Sequence, residues 1–374
     1  MAKVAPLSVK DGNIRQTVNN FWWQLFEKNI IEGLLVPLEL PNRANVVQTL
    51  VTEPATLQHA NTFAPVMPVN SSRIVSTMTK VTPSPRKLAV VMRPCEMRAL
   101  IDLVKLKQAS LENIVTISYD CFGAYSVTDY MDFAEGKDDA GEAFIQAALD
   151  GNYDGKLRWN CEVCEYPVPL YSDLVIGLLG RDPRKQLSVI ANTEAGEKVL
   201  EALDIELAET DAKGEKAVAD YIKNRTRDRD AKLEEARKAA AGPENMLNFL
   251  STCIKCHNCM TNCPICYCKE CFFHSPTFEL DAEKYFDWAD RRGGIRMPND
   301  TLFFHLTRMA HMATSCVACG ACTEACPSNI EIAKLFTVIG HNIQGIFEYV
   351  PGKSLNDPLP LADFKEDELH VFEK

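Results

Sequence analysis

Apolar residues recur at helical spacing over residues 13–31, NIRQTVNNFWWQLFEKNII, where Ile14, Val18, Phe21, Trp22, Leu25, Phe26 and Ile30 share one face. EGLLVPLEL and VVQTLVTE are short apolar runs that predict strands. KLAVVMRP, residues 87–94, is a continuous run of the buried-strand type. EMRALIDLVKLKQ then predicts a helix, and ENIVTISYD, residues 112–120, a second strand. Strand, helix, strand in that order is a βαβ unit, and its strands pair in parallel. DLVIGLLG (173–180) and QLSVIANT (186–193) predict two more strands, and TEAGEKVLEALDI a helix. Residues 1–208 therefore read as an α/β domain with a mainly parallel sheet.

The pattern then changes. Within residues 209–245, the stretch DAKGEKAVADYIKNRTRDRDAKLEEARKAAA is Ala-rich and mixed in charge, the pattern of a solvated connecting helix. Gly242-Pro243 marks its end. Residues 246–345 are rich in cysteine, and LDAEKYFDWADRRGG and NDTLFFHLTRMAHMAT predict helices within them. Residues 346–374 contain several prolines and read as an extended tail.

Composition narrows the function. At 46% apolar and 24% charged residues, the 374-residue chain is ordinary for a soluble protein. It has no run of 18 apolar residues, so no membrane span is expected. MAKVAPLSVKDGNIRQ lacks the apolar core of a secretory signal, which sets the expectation of a cytoplasmic protein. A net charge of −11 argues against nucleic acid as a partner. Fifteen cysteines in a cytosolic chain point to metal rather than to disulfides, because the cytosol keeps thiols reduced.

Eight of these cysteines fall into two copies of one pattern. Cys253, Cys256, Cys259 and Cys263 precede Pro264, and Cys316, Cys319, Cys322 and Cys326 precede Pro327. Both copies read C-x2-C-x2-C-x3-C-P, the spacing that grips a 4Fe-4S cluster, with the fourth cysteine of each copy usually crossing to the other cluster. Four more lie in the α/β domain: Cys95 and Cys121 close the two parallel strands, and Cys161 and Cys164 form a C-x2-C clip. Neighbouring strand ends on a parallel sheet form the edge at which ligands bind. Four ordinary buried cysteines are the alternative there. The remaining Cys266, Cys268 and Cys271 cannot complete an all-cysteine 4Fe-4S site alone. A 3Fe-4S centre, recruitment of His257 or His274, exchange with Cys263 and inert packing all stay open for them.

These residues carry two resemblances. The two cysteine copies and their long helical spacer resemble the α-helical ferredoxin domain of heterodisulfide reductase small subunits and succinate dehydrogenase iron–sulfur subunits. RKLAVVMRPCEMRAL, TISYDCFGAYS and WNCEVCEYPVPLYSDLVIGLLG resemble the β-subunit family of F420-reducing hydrogenase and F420-linked formate dehydrogenase, over roughly residues 12–190. That resemblance implies FAD and a 4Fe-4S cluster, with Cys95, Cys121, Cys161 and Cys164 as cluster ligands. It also places flavin contacts in segments 11–16 and 60–72, at Asn13, Asn61, Thr62 and Asn70. Where the family has a Gly-Gly start before its first helix, this chain has DGNIRQ.

The function expected on these grounds is electron transfer. An oxidoreductase subunit would couple a soluble two-electron carrier (F420, NAD(P)H or similar) through FAD and three or more 4Fe-4S clusters to a catalytic partner subunit. A flavin-free electron wire between two enzymes is the second reading. No acid–base residue is assignable. There is no GxGxxG and no Walker motif, so a nicotinamide site has no direct support. Trp22 and Trp23 read as core, His305 and His311 as packing or surface, and Arg93, Glu96 and Arg98 beside Cys95 as residues that tune its cluster or form salt bridges, the second being favoured.

Overall fold

The computed structural model describes residues 3–152, 157–209, 212–278, 281–294 and 300–362. Eight strands form one sheet: β1 (Lys3–Ser8), β2 (Gly33–Glu39), β3 (Val46–Val51), β4 (Leu88–Val91), β5 (Ile114–Tyr119), β6 (Leu174–Gly177), β7 (Gln186–Ala191) and β8 (Ala208–Glu209). Their order is β3-β2-β4-β5-β6-β7-β1-β8. The centre, β2-β4-β5-β6, is parallel, with Val90 opposite Thr116 and Val91 opposite Ile117. The pairings at both flanks are antiparallel. The expected parallel core is there. β1 was not foreseen, because KVAPLS carries a proline and only a short apolar run.

Burial of both faces explains the nearly continuous apolar sequences of the central strands. Leu34, Val36, Ala89, Val91 and Ile117 face one side, where helix α1 (Ile14–Glu27) packs Phe21, Trp22 and Leu25 against them. Leu35, Leu88, Val90 and Ile114 face the other side. There they meet Val75 of α2 (Ser72–Thr79) and Met97 and Leu100 of α3 (Pro94–Lys105). A parallel sheet covered on both faces needs strands apolar on both faces. Trp22 is core as expected, whereas Trp23 is 46% exposed, because adjacent helical positions point about a quarter turn apart.

α3 is the joint of the molecule. Its Met97 and Leu100 belong to the sheet core, and its Ala99 and Leu103 belong to the core of the cysteine-rich region with Phe304, Met312, Leu335 and Phe336. Its charged Glu96, Arg98 and Asp102 are buried as well, so the helix is covered on all sides. The tail docks here too. Tyr349 Oη and the Gly352 amide donate to Asp102 Oδ1 at 2.6 and 2.8 Å, and Arg98 Nε donates to Pro351 O at 2.8 Å. The part of the tail beyond residue 362 lies outside the described residues.

The charged stretch is helical, in two pieces, Ala212–Thr226 and Arg229–Ala240. It is not simply solvated. Leu233, Ala236 and Ala240 are buried, and Arg229 and Lys232 pair with Glu165 and Glu162 beside the C-x2-C clip. Its mixed charges supply both a wet face and partners for this clip. In the cysteine-rich region, Ala282–Arg292, Asp300–Met312 and Ile332–Ile346 are helices, as the spacer pattern predicted for the first two.

Candidate metal centres

The two cysteine copies have the same backbone. In CIKCHNC, Lys255 and His257 take φ of 56° and 58°, and in CVACGAC, Ala318 and Gly320 take 56° and 77°. Left-handed residues on either side of the second cysteine turn successive amides inward and make an anion-binding concavity. The amides of Lys255 and Ala318 accordingly face the thiols of Cys253 and Cys316. Gly320 is required for a second reason: a Cβ there would press on the Asn160 side chain at 3.1 Å, next to Cys161.

The fourth cysteines exchange. Cys326 lines one cavity with Cys253, Cys256 and Cys259, together with Pro327, His257 and His305. Cys263 lines another with Cys316, Cys319 and Cys322, together with Arg308 and Phe336. Further donors aim at sulfur: Arg308 Nη1 to Cys259 Sγ at 3.1 Å, and the Ile330 amide to Cys326 Sγ at 3.4 Å. His305 Nε2 lies 3.5 Å from Cys253 Sγ, and burial depresses its pKa to about 4. It thus stands at the cavity wall rather than in plain packing, whereas His311 is exposed.

The third set also converges. Cys95 sits in the first turn of α3, after β4, and Cys121 follows β5; both join Cys161 and Cys164 around a cavity of about 80 Å³. Arg93 is buried and donates to Cys121 Sγ at 3.4 Å and to Gly123 O at 3.1 Å. Glu96 accepts from the Arg93 and Ser71 amides at 2.9 and 2.7 Å and so caps α3, while Arg98 bonds carbonyls of Pro351 and Val317. The expected salt bridges beside Cys95 are therefore replaced by a thiol contact, a helix cap and a domain tie. The helical stretch 212–240 closes the site: Arg225 donates to Cys161 O, and Tyr221 Oη to Cys121 O at 3.3 Å. Nothing in its sequence pattern signalled that role.

The donor chemistry fits clusters at all three sets. Burial pushes the Cys164, Cys259 and Cys319 thiols up to about 11 and Cys316 up to about 12. Buried thiols of this kind become good ligands when a cation replaces the proton. Among the described residues no group of His, Cys, Asp and Glu gathers tightly enough to hold a single metal ion. The sets ring cavities instead, as thiolates on the corners of a cubane would. Cys266, Cys268 and Cys271 line none of the three cavities. Burial pushes Cys266 up to about 12, Cys271 Sγ lies 3.6 Å from Met260 Sδ, and Cys268 is exposed. His257 stacks on Phe304 and His274 at 4.5 and 5.2 Å.

The four candidate flavin contacts have other partners. Asn13 caps α1, accepting from the Gln16 amide at 2.7 Å. Asn61 Nδ2 donates to Glu39 at 3.3 Å, and Thr62 Oγ1 accepts from Trp22 at 3.3 Å. Asn70 Oδ1 accepts from Ser72, and among the described residues its buried Nδ2 has no hydrogen-bond partner. A dinucleotide phosphate at the start of α1 needs free amides and positive charge. Here the Glu142 carboxylate accepts from the Arg15 amide at 3.0 Å, and Glu39 and Asp139 pair with the Arg15 guanidinium at 3.1 and 3.3 Å. These residues do not fit a phosphate. A cavity of about 290 Å³ lies beside Asp120, between β6, β7, β1 and the helix Ala212–Thr226, and none of the four lines it.

Comparison with known proteins agrees with this layout. Residues 85–216 match the model of the C-terminal part of the coenzyme F420 hydrogenase/dehydrogenase beta subunit, and residues 249–330 match the 4Fe-4S dicluster domain. The chain is 26% identical to the F420-dependent formate dehydrogenase subunit beta of Methanocaldococcus jannaschii, over 88% of this chain and 89% of that protein. It is also 26% identical to the F420-dependent formate dehydrogenase 1 subunit beta of Methanococcus maripaludis, over 96% and 95%. A chain of the F420-reducing [NiFe] hydrogenase complex from Methanosarcina barkeri aligns at 14% identity and a TM-score of 0.46, over 64% of this chain and 92% of that one. Residues 85–216 are thus similar to the coenzyme F420 hydrogenase/dehydrogenase beta-subunit family, and residues 249–330 to the 4Fe-4S dicluster domain.

Proposed function

We propose that this chain is the iron–sulfur electron-transfer subunit of a multi-subunit oxidoreductase of the formate dehydrogenase or hydrogenase type. Its three cysteine sets would hold three 4Fe-4S clusters that pass single electrons between a catalytic partner subunit and the acceptor of a soluble two-electron carrier. F420, the carrier in the names of the relatives, is the first choice. The clusters supply the redox chemistry, and the chain supplies spacing, burial and hydrogen bonds to sulfur.

The observation that carries this reading is a shared wall. Cys316, Val317, Ala318 and Cys319 line both the cavity of the α/β set and that of the Cys263 set. Cys319 lies near enough to Cys95 to raise the cost of ionising its thiol. Three sites in contiguous order make a relay rather than isolated structural centres. Anaerobically purified protein should hold about twelve irons and twelve acid-labile sulfides per chain, four for each cluster. About eight of each would leave the α/β set empty and sink the relay.

Of the flavin-containing and flavin-free forms, the start of α1 favours the flavin-free one, because Asn13 and Glu142 already take its first amides. Acid extraction of iron-replete protein separates the two. One FAD per chain would overturn the flavin-free form.

A further inference from the structure

Arg308 is a buried cation placed between two cysteine sets. It lies on the helix Asp300–Met312, is 3% exposed, and comes one turn after His305 on the same face. Its Nη1 donates to Cys259 Sγ at 3.1 Å and its Nη2 to Cys259 O at 3.1 Å. It also lines the cavity of Cys263, Cys316, Cys319 and Cys322. The guanidinium lies 4.8 Å from the Phe336 ring centroid and 5.5 Å from that of Phe304. Among the described residues no carboxylate bonds to it, and its buried Nε has no partner. The groups facing it that become negative on losing a proton to metal binding are the thiols of Cys259, Cys263, Cys322 and Cys266.

A buried charge without a counter-ion is costly, so such an arginine is retained only where something negative faces it. Here that something is the pair of thiolate sets. We propose that Arg308 sets the reduction potentials of the clusters at Cys253/Cys256/Cys259/Cys326 and Cys263/Cys316/Cys319/Cys322, raising both. The inference rests on the relay reading above. Reduction adds one electron, and so one negative charge, to a cluster. A fixed cation and an N–H bond to ligand sulfur stabilise the reduced state more than the oxidised one. The Cys259 set, which takes the direct hydrogen bond, receives the larger effect.

The test is a potentiometric titration of the intact anaerobic chain, followed by electron paramagnetic resonance. Arg308→Met should lower the reduction equilibrium constant of the Cys259 cluster at least tenfold, about 59 mV for one electron. Arg308→Lys keeps the charge and loses the planar fork, so its shift should be smaller and of the same sign. Iron content reports whether each variant keeps its clusters. In wild-type protein labelled with [15N]arginine, pulsed measurements should detect a guanidinium nitrogen coupled to the reduced Cys259 cluster, a coupling that Arg93→Met leaves in place and Arg308→Met removes. Iron-replete Arg308→Met with wild-type potentials would overturn the proposal, as would the absence of any arginine coupling in the wild type. A wild type with no reducible cluster at Cys253 would sink the relay reading itself, an outcome seen before any variant is made.

Discussion

Cys263 and Cys326 each precede a proline at the end of the same cysteine pattern, yet each lines the cavity of the other copy. The geometry of the first three cysteines explains this. A loop of two C-x2-C turns with left-handed residues curls three thiols around one cavity, and the fourth, a turn later, is carried past it. A single exchange follows for experiment. Cys326→Ser should abolish or alter the same resonance signal as Cys253→Ser, and leave the signal lost in Cys316→Ser intact. If Cys326→Ser instead matched Cys316→Ser, each copy would hold its own cluster. At the same scale, Arg93 and Arg308 each donate to a cysteine sulfur from outside the cysteine loops. Neither contact follows from spacing, since each joins residues 28 or 49 positions apart.

α3 shows what a single element contributes. Pro94 sets its first turn, the Glu96 carboxylate takes the Arg93 amide, and apolar residues lie on every side. One side covers the sheet and another meets the cysteine-rich core. The tail closes over it at Gly352, whose φ is +69° and whose missing Cβ would lie inside the backbone of Arg98. Gly352→Ala should therefore undo the docking of Tyr349 and Pro351 and cost about 1–3 kcal/mol, the usual range for overpacking. Thermal unfolding of the iron-replete variant measures it, and an unchanged transition would show that the tail contributes little. Tyr349→Phe removes the donor to Asp102 and the acceptor of Lys105 Nζ at 2.7 Å, leaves the backbone fit intact, and should cost less than the glycine change.

Across the whole molecule, the cavity of the α/β cysteine set lies at the seam between the α/β part and the cysteine-rich part, while the other two lie within the cysteine-rich part. Cys95, Cys121, Cys161 and Cys164 face Cys316 and Cys319 across one cavity, and Asn160 donates to Thr337 at 2.8 Å beside it. Ligand binding there is also adhesion between the two parts. Removing iron with a chelator should expose amides of the cysteine-rich part to hydrogen exchange while the central strands β4 and β5 stay protected. Equal loss of protection in both would mean that the sheet, too, depends on the clusters. Among the described residues no helix is long and apolar enough to cross a membrane.

The sequence by itself determined the local elements and the identity of the thiols. Continuous apolar runs are the mark of strands covered on both faces, and the C-x2-C-x2-C-x3-C-P spacing records a loop geometry within one short segment, so both are legible without a structure. The strand-end placement of Cys95 and Cys121 was legible too, because parallel neighbours end at the same edge. What the tertiary structure alone decided lies between distant segments. It exchanged the fourth cysteines, turned the charged stretch 212–240 into the cover of the α/β set, and made Arg308 a partner of sulfur. It also filled the start of α1 with carboxylates from residues 39, 139 and 142. Each of these is a contact between groups far apart in the chain. Periodicity and spacing report only which way a side chain points from its own element, and the packing of the whole decides what it meets there.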